Sequence, residues 1–363
     1  MASGKPSLLV TGIAGSLGAR LLPLLEGFNV IGLDTHPPLD PAIPFEFEKI
    51  DLGMESSCGR MTRILRETRA IGVVHLAFIV DPLRTGVLDP DRMWRINVAG
   101  TARVIEAIAE TNRLDGSVEK FIHLSSVSVY GPLLTRPARE NDALHARSLT
   151  YAVHKREADL AVQARFRDLG GCDVYILRPQ IFSGASVDNY MINCIRGTAY
   201  GPGRVGQMLK RRGKRLPLLL PMGAEYLQHK LQFVHVDDVA RVIAWLLPRP
   251  KATDPLTILN IAGRGDPLTV AQCAEIAKVG VKRVPTVALC RKIVELMWSM
   301  GITSIPGGAF PYLIGSYTLE TLKLRTLLGP DYEEVIRYTS AAALADSKPQ
   351  SIPLSVAEIE TAS

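Results

Sequence analysis

Apolar positions in the first half of the chain come in short runs, and the stretches between them repeat with helical spacing. Runs at 7–10, 28–34, 47–50, 71–77, 118–124 and 173–178 predict strands. Apolar residues three and four apart at 16–26, 55–68, 91–112 and 149–168 predict helices. Strand and helix in alternation imply an α/β fold, a doubly wound parallel sheet with helices on both faces. After Pro179 the alternation stops. Gly, Pro and basic residues fill 197–217, which predicts loop. A strand at 231–234, a helix at 236–247 and a strand at 256–261 then return, so 231–262 is expected to rejoin the sheet. Helices near 269–278, 286–300 and 318–328 would build a smaller, mostly helical C-terminal part. The expected units are 1–178 and a mixed region, 179–343. The polar, aperiodic stretch 344–363 is expected to be a disordered tail.

One turn in this pattern carries chemistry. The apolar run Leu8-Leu9-Val10 leads into Thr11-Gly12-Ile13-Ala14-Gly15-Ser16-Leu17-Gly18, and helical spacing (Leu17, Leu21, Leu22, Leu25) begins there. Strand, glycine-rich turn and helix is the context of a Rossmann-type dinucleotide site. Gly12 would permit the tight turn, Gly15 the approach of a pyrophosphate, and Gly18 close packing of helix on strand, with Ser16 and Leu17 in the helix's first turn. The letters alone are weak. Gly201-Pro202-Gly203-Arg204-Val205-Gly206 also spells G-x-G-x-x-G, but it follows no strand and contains a proline, so it reads as loop. The second strand ends in Asp34, an acid roughly 20 residues past the turn, where it can bind both ribose hydroxyls and repel a 2′-phosphate. NAD is therefore expected over NADP. The plainer reading of Asp34 is a turn residue before Pro37-Pro38.

Composition narrows the partners. The 363 residues are 47% apolar and 21% charged, with net charge +6. That mild basic excess is far from a nucleic-acid signature. The one dense basic run, Lys210-Arg211-Arg212-Gly213-Lys214-Arg215, has no interleaved aromatics for base stacking. The five cysteines are scattered and form no C-x-x-C, which argues against a metal site and a disulfide framework and fits reduced thiols in cytoplasm. No run of 18 apolar residues marks a membrane span, and Leu8 to Val10 is too short for a signal peptide. The expected partner is a small-molecule substrate, without nucleic acid or membrane, and the sequence is compatible with a homodimer.

Tyr151 and Lys155 stand four apart on one face of a predicted helix that follows the fifth strand. A nearby ammonium favours phenolate and lowers a tyrosine's pKa from about 10, so the pair can exchange a proton with a substrate hydroxyl. Lys155 can also hold the nicotinamide ribose. Tyr226 and Lys230 share the spacing but lack that context. Ser126 stands just past the fifth strand, where ligands of parallel sheets bind. Its hydroxyl can polarise the reacting oxygen. Taken alone it is a residue of a serine-rich loop.

Glycine turn, strand acid, Ser126, Tyr151 and Lys155 together resemble the extended short-chain dehydrogenase/reductases, the NAD-dependent epimerases/dehydratases. Further similar segments are Val73-Val74-His75-Leu76-Ala77, Asn97-Val98-Ala99-Gly100-Thr101, Leu177-Arg178-Pro179 and Phe233-Val234-His235-Val236-Asp237-Asp238-Val239-Ala240. The likeness spans about residues 7–262. It implies that 1–178 binds NAD and carries catalysis, and that 179–343 binds substrate. It implies catalytic roles for Ser126, Tyr151 and Lys155, with Asn97 shaping the site. Asp51 and Leu52 would contact adenine, and Leu76 and Ala77 would lie under the cofactor's phosphates and ribose. Arg178 and His235 would sit beside substrate, although His235 more commonly caps or fills a core and Asp237 serves equally as a helix cap.

Departures shape the expected reaction. Sugar dehydratases of this kind carry Asp-Glu after the catalytic serine or threonine. Val127-Ser128 stands here, so dehydration is disfavoured. The arginine that often binds diphosphate is replaced at Leu231-Gln232, leaving Arg211 and Arg212 as candidate anion contacts against a plainer reading as a solvated loop. Gln180-Ile181-Phe182-Ser183-Gly184 is more apolar than the family's usual segment. The expected activity is reversible hydride transfer at a secondary alcohol, most simply 4-epimerisation of a nucleotide sugar. The alternatives are a dehydrogenase or carbonyl reductase of a less polar molecule and a non-catalytic dinucleotide-binding regulator, the latter opposed by the intact Ser126, Tyr151 and Lys155.

Overall fold

The computed structural model describes residues 4–38, 41, 43–81, 85–185, 187–251 and 253–347. Six parallel strands, β1 (Ser7–Thr11), β2 (Asn29–Asp34), β3 (Glu46–Lys49), β4 (Gly72–His75), β5 (Lys120–Leu124) and β6 (Asp173–Pro179), form the sheet together with Leu256–Ile261. The spatial order is Leu256–Ile261, β6, β5, β4, β1, β2, β3. Chain progression therefore reverses beside β1, and the crevice between the ends of β1 and β4 is the place where such sheets bind ligands.

Period-2 alternation sorts the strand residues onto two faces. Leu8, Val10, Val74, Ile122, Tyr175 and Leu177 pack with α1 (Ser16–Leu21) and helix Val236–Leu246. Leu9, Ile31, Val73, Phe121, Val174 and Ile176 pack against α2 (Ser57–Thr68) and helix Gly100–Leu114. A third apolar cluster lies mainly beyond residue 179, uniting Phe233, Cys273, Val294, Phe310 and Tyr317 with Val129 and Tyr130. Of the returning segment 231–262, helix Val236–Leu246 covers the sheet and Leu256–Ile261 forms its edge. Phe233–His235 instead pairs with Ile181–Ser183 in a separate two-stranded sheet.

Three expectations change. The single helix expected at 91–112 is three pieces: Pro90–Trp94, a π-helical turn Arg95–Ala99, and Gly100–Leu114. The stretch 197–217 contains helix Arg204–Arg211 and leads into strand Leu218–Pro221. The motif Gly201–Gly206 thus opens a helix rather than forming a loop throughout. Its glycines meet protein, since a Cβ at Gly203 would lie 2.6 Å from the Met300 carbonyl oxygen and one at Gly201 2.4 Å from that of Gly301. Finally, Ser340–Asp346 is a helix capped by Thr339, so the expected tail does not begin at 344. Its remainder, 348–363, lies outside the described residues.

Candidate active site

The glycine turn is shaped by its surroundings. Gly12 has φ +74°, a conformation that favours glycine. A Cβ on it would sit 2.5 Å from the Ala77 nitrogen, and one on Gly18 would sit 2.4 Å from the Ile13 carbonyl oxygen. The fold therefore needs both glycines. Gly15 differs: its nearest neighbour would be the Gly12 carbonyl oxygen at 3.1 Å, and the residue is exposed. Its bare backbone faces outward, as a phosphate-binding turn requires. Ser16 is exposed beside it, while Leu17 is buried in the core.

Asp34 closes onto this turn. Its Oδ2 accepts from the Ala14 amide at 3.0 Å, and Oδ1 accepts from the Thr35 amide at 2.8 Å. Leu76 and Ala77 follow β4, tied to Thr11 through backbone and side chain. Asp51 accepts from the Gly53 amide at 2.8 Å and from Arg92 at 2.9 Å, while Leu52 is buried. Glycine backbone, strand-end carboxylate and the Leu76–Ala77 segment fit a dinucleotide.

The reactive groups meet where β5 and helix Thr150–Arg165 converge. Ser126 Oγ accepts from the Ser128 amide at 3.2 Å and from Ser128 Oγ at 3.0 Å. Its hydroxyl lies beside the Tyr151 phenol and favours the phenolate form. Tyr151 is partly exposed, yet burial pushes its phenol up to about 12. One turn on, Lys155 is buried. Desolvation lowers its ammonium to about 7, with Asp159 pulling the other way.

The expected help from Lys155 to Tyr151 is not what this arrangement shows. Nζ of Lys155 donates to the Leu124 carbonyl at 2.5 Å and lies 3.7 Å from the Phe78 ring centroid. Phe78 also meets Tyr151 edge-on, with ring centroids 5.8 Å apart. Lysine charge is spent on a carbonyl and an aromatic face, so Tyr151 stands here as a protonated acid.

Asn97 is fully buried in the π-helical turn. Its Oδ1 accepts from the Ile79 amide at 2.7 Å, and its Nδ2 donates to the Ile79 carbonyl at 3.0 Å. The amide is thereby committed to holding the segment that carries Phe78, which makes Asn97 a positioning residue rather than a catalytic one.

Arg178 and His235 are not brought to this group. Arg178 is 1% exposed and pairs with Asp159 through two bonds of 2.9 Å. Its remaining donors reach the Tyr130 hydroxyl at 2.8 Å and the Glu140 carbonyl at 2.9 Å. A guanidinium in the core must be paired, and here each of its three nitrogens donates to protein rather than to a substrate. His235 caps helix Val236–Leu246 through Nδ1. Its Nε2 meets Asp346 at 3.1 Å, and its ring stacks on Tyr338 at 3.8 Å. Arg211 and Arg212 are exposed at the far end of helix Arg204–Arg211, and neither makes a hydrogen bond or ion pair with Ser126, Tyr151 or Lys155. Leu231 is buried, and Gln232 Oε1 accepts from the Leu319 amide at 2.7 Å, so that position is structural.

Two residues at the site escaped the sequence pattern. Phe78 carried a signal, standing just past the strand that ends in Leu76-Ala77. Tyr312 carried none. It comes from helix Phe310–Ile314, donates to the Ser128 carbonyl at 3.1 Å, and its phenol is raised by burial and by Tyr151.

Seven-stranded doubly wound sheet, glycine turn and Ser-Tyr-Lys group define an extended short-chain dehydrogenase/reductase. Residues 8–262 match the NAD dependent epimerase/dehydratase family, and the chain belongs to it. The fold is also similar to solved structures. The UDP-glucose 4-epimerase of Thermus thermophilus, in complex with NAD, has 20% identity and TM-score 0.63, covering 94% of this chain and 97% of that one. MoeE5, in complex with UDP-glucuronic acid and NAD, has 22% identity and TM-score 0.61 over the same shares. The dTDP-glucose 4,6-dehydratase of Bacillus anthracis strain Ames, with NAD, has 18% identity and TM-score 0.62, covering 94% and 95%.

Proposed function

We propose that this enzyme transfers a hydride reversibly at a secondary alcohol of a nucleotide sugar, in the manner of a 4-epimerase. The observation that carries the reading is the meeting of Ser126, just past β5, with Tyr151 and Lys155, one turn apart on helix Thr150–Arg165. Gly12, Gly15, Ser16, Leu17 and Gly18 would line the cofactor's pyrophosphate, with Asp34 on a ribose, Asp51 and Leu52 at adenine, and Leu76 and Ala77 between. Bound NAD supplies the hydride acceptor, and in its reduced form the donor. Tyr151, protonated as it stands here, would give its proton to the carbonyl oxygen on reduction and, as phenolate, would take it back from the hydroxyl on oxidation, while Ser126 orients the same oxygen. Lys155 is the group that would reach the nicotinamide ribose once released from Phe78 and Leu124. Val127 is buried and Ser128 is spent on Ser126 and Tyr312, so the place of the dehydratases' Asp-Glu pair holds no carboxylate, which disfavours dehydration. Solved relatives named as binding UDP-sugars support the substrate class.

One specific feature supports a second reading, reduction of a less polar ketone. Leu231 and Gln232 are buried where a diphosphate-binding arginine is usual, and Phe78 adds an aromatic wall. The decisive experiment is mass spectrometry of the purified protein for retained nucleotide, followed by turnover assays with UDP-sugars and neutral ketones. UDP-sugar turnover that falls by about 10²–10⁴-fold in Tyr151→Phe, with NAD affinity nearly unchanged, is the expected result. Ketone reduction without any UDP-sugar binding would replace it by the second reading.

A further inference from the structure

Charge is unevenly distributed along the chain. Residues 189–224 hold seven Lys and Arg and no acid, and residues 276–319 hold five and only Glu295. Together they carry +11 against +6 for the whole chain, so all the rest is net −5. The two segments form one structural unit. Strand Leu218–Pro221 pairs in parallel with Val281–Val284. The Gly203 amide donates to the Gly301 carbonyl at 2.8 Å, and that of Gly201 to Ile302 at 2.9 Å, which joins the start of helix Arg204–Arg211 to the end of helix Val287–Ser299.

The same unit exposes apolar side chains. Helix Val287–Ser299 buries only Cys290 and Val294 fully. Leu289, Ile293, Leu296 and Met300 repeat at helical spacing along the adjoining stripe. Leu289, Leu296 and Met300 are exposed by 43%, 59% and 57%. Trp298, on the opposite side of the helix from that stripe, is also exposed, as are Val205 and Met208 on helix Arg204–Arg211. The unit's cations are exposed as well: Lys210, Arg211, Arg212, Lys214 and Arg215 at the end of helix Arg204–Arg211 and just after it, and Arg291 and Lys292 on helix Val287–Ser299.

We propose that this face docks on the surface of an anionic lipid bilayer. Exposed Leu and Met would enter the headgroup–acyl boundary, while the basic residues meet lipid phosphates. Charge selects this occupant. A second copy of the chain would bring +11 against +11, whereas an anionic membrane supplies the opposite sign. Nucleic acid would satisfy the charges but give the leucine–methionine stripe no part. Docking of this kind needs no spanning segment, and among the described residues no helix is long and apolar enough to cross a membrane. The inference is independent of the substrate reading.

The test is vesicle flotation of the full-length protein, with phosphatidylcholine alone or with about 30 mol% phosphatidylglycerol. Anionic vesicles should capture at least about tenfold more protein, and raised salt should release it. Lys210→Glu/Lys214→Glu should weaken capture by about tenfold or more, since each basic residue near the surface contributes roughly fivefold. Leu296→Ser/Met300→Ser, at exposed positions checked by an unchanged Tm, should weaken it comparably. No preference for anionic vesicles overturns the proposal. So does duplex DNA binding that displaces vesicles yet ignores Leu296→Ser/Met300→Ser, because charge alone would then account for the surface.

Discussion

Two histidines sit side by side in the middle of the sheet, and their protonation ties stability to pH. His75 on β4 is satisfied. Thr101 donates its hydroxyl to Asn97, so it accepts from His75 Nε2 at 3.0 Å, and Thr11 donates to Nδ1 at 2.7 Å. His123 on β5 stacks on His75 at 5.5 Å, and both of its nitrogens are buried without a hydrogen-bond partner. Burial pushes both rings well below the ordinary histidine range, with positive neighbours, Lys155 among them, adding to the effect. The folded protein therefore keeps them neutral at pH values where the unfolded chain, titrating near 6.5, binds protons. Stability is full above about 6.5 and falls as pH drops, by about 1.4 kcal/mol per unit for each ring. His123→Phe should halve this part of the slope in denaturant melts between about pH 5 and 6.5. An unchanged slope would mean that His123 is protonated in the folded state.

At the scale of elements, the glycine turn and the broken helix show how local geometry is bent toward a site. Gly12 and Gly18 are demanded by backbone contacts under 3 Å, whereas a Cβ on Gly15 would meet only the Gly12 carbonyl oxygen, at 3.1 Å. Gly18→Ala should lower Tm markedly, because the new Cβ meets the Ile13 carbonyl. Gly15→Ala should leave Tm within a few degrees and weaken NAD binding, measured by titration. Were Gly15→Ala to destabilise the fold while NAD affinity held, the turn would be structural only. The π-helical turn at Arg95–Ala99 has a similar logic. π-turns cluster at functional sites, and this one carries Asn97, whose amide clamps both polar groups of Ile79. That clamp holds the stretch bearing Phe78 between Tyr151 and Lys155.

Across the whole molecule, Arg178 links parts that the chain keeps far apart. Asp159, buried on helix Thr150–Arg165, takes both guanidinium bonds and also accepts from Ser125 at 2.5 Å and Gln163 at 2.6 Å. Tyr130 passes the network on to Asn260 at 2.8 Å on the edge strand, and Asn260 donates to the Ala138 carbonyl. Removing one partner strands the other charge, at a cost of about 3–5 kcal/mol. Arg178→Met should lower Tm strongly, yet at permissive temperature leave KM within about threefold, because the buried guanidinium bonds Asp159, Tyr130 and Glu140. A large rise in KM at unchanged Tm would return Arg178 to the substrate site. Asp159→Leu in the Arg178→Met background should recover part of the loss, since no uncompensated charge then remains buried.

The alternating apolar runs were enough to read the α/β class, the six leading strands and most helices, because inner strands buried on both faces are largely apolar; the edge strand β3 is not buried in this way. Gly12, Gly15, Asp34, Ser126, Tyr151 and Lys155 were legible because turn geometry and helical spacing are local properties. Roles that depend on who faces whom were not. Arg178 looked like a substrate contact until its buried partner Asp159, 19 residues away, was in view. Lys155 looked like an aid to Tyr151 until Phe78 and the Leu124 carbonyl were seen to hold its ammonium. Tyr312 reaches the Ser128 carbonyl across 184 residues. A sequence shows which charges and rings exist and how a segment repeats. Burial and pairing over long separations are settled only when the chain packs, and these decide whether a group reacts, positions a neighbour or holds the core together.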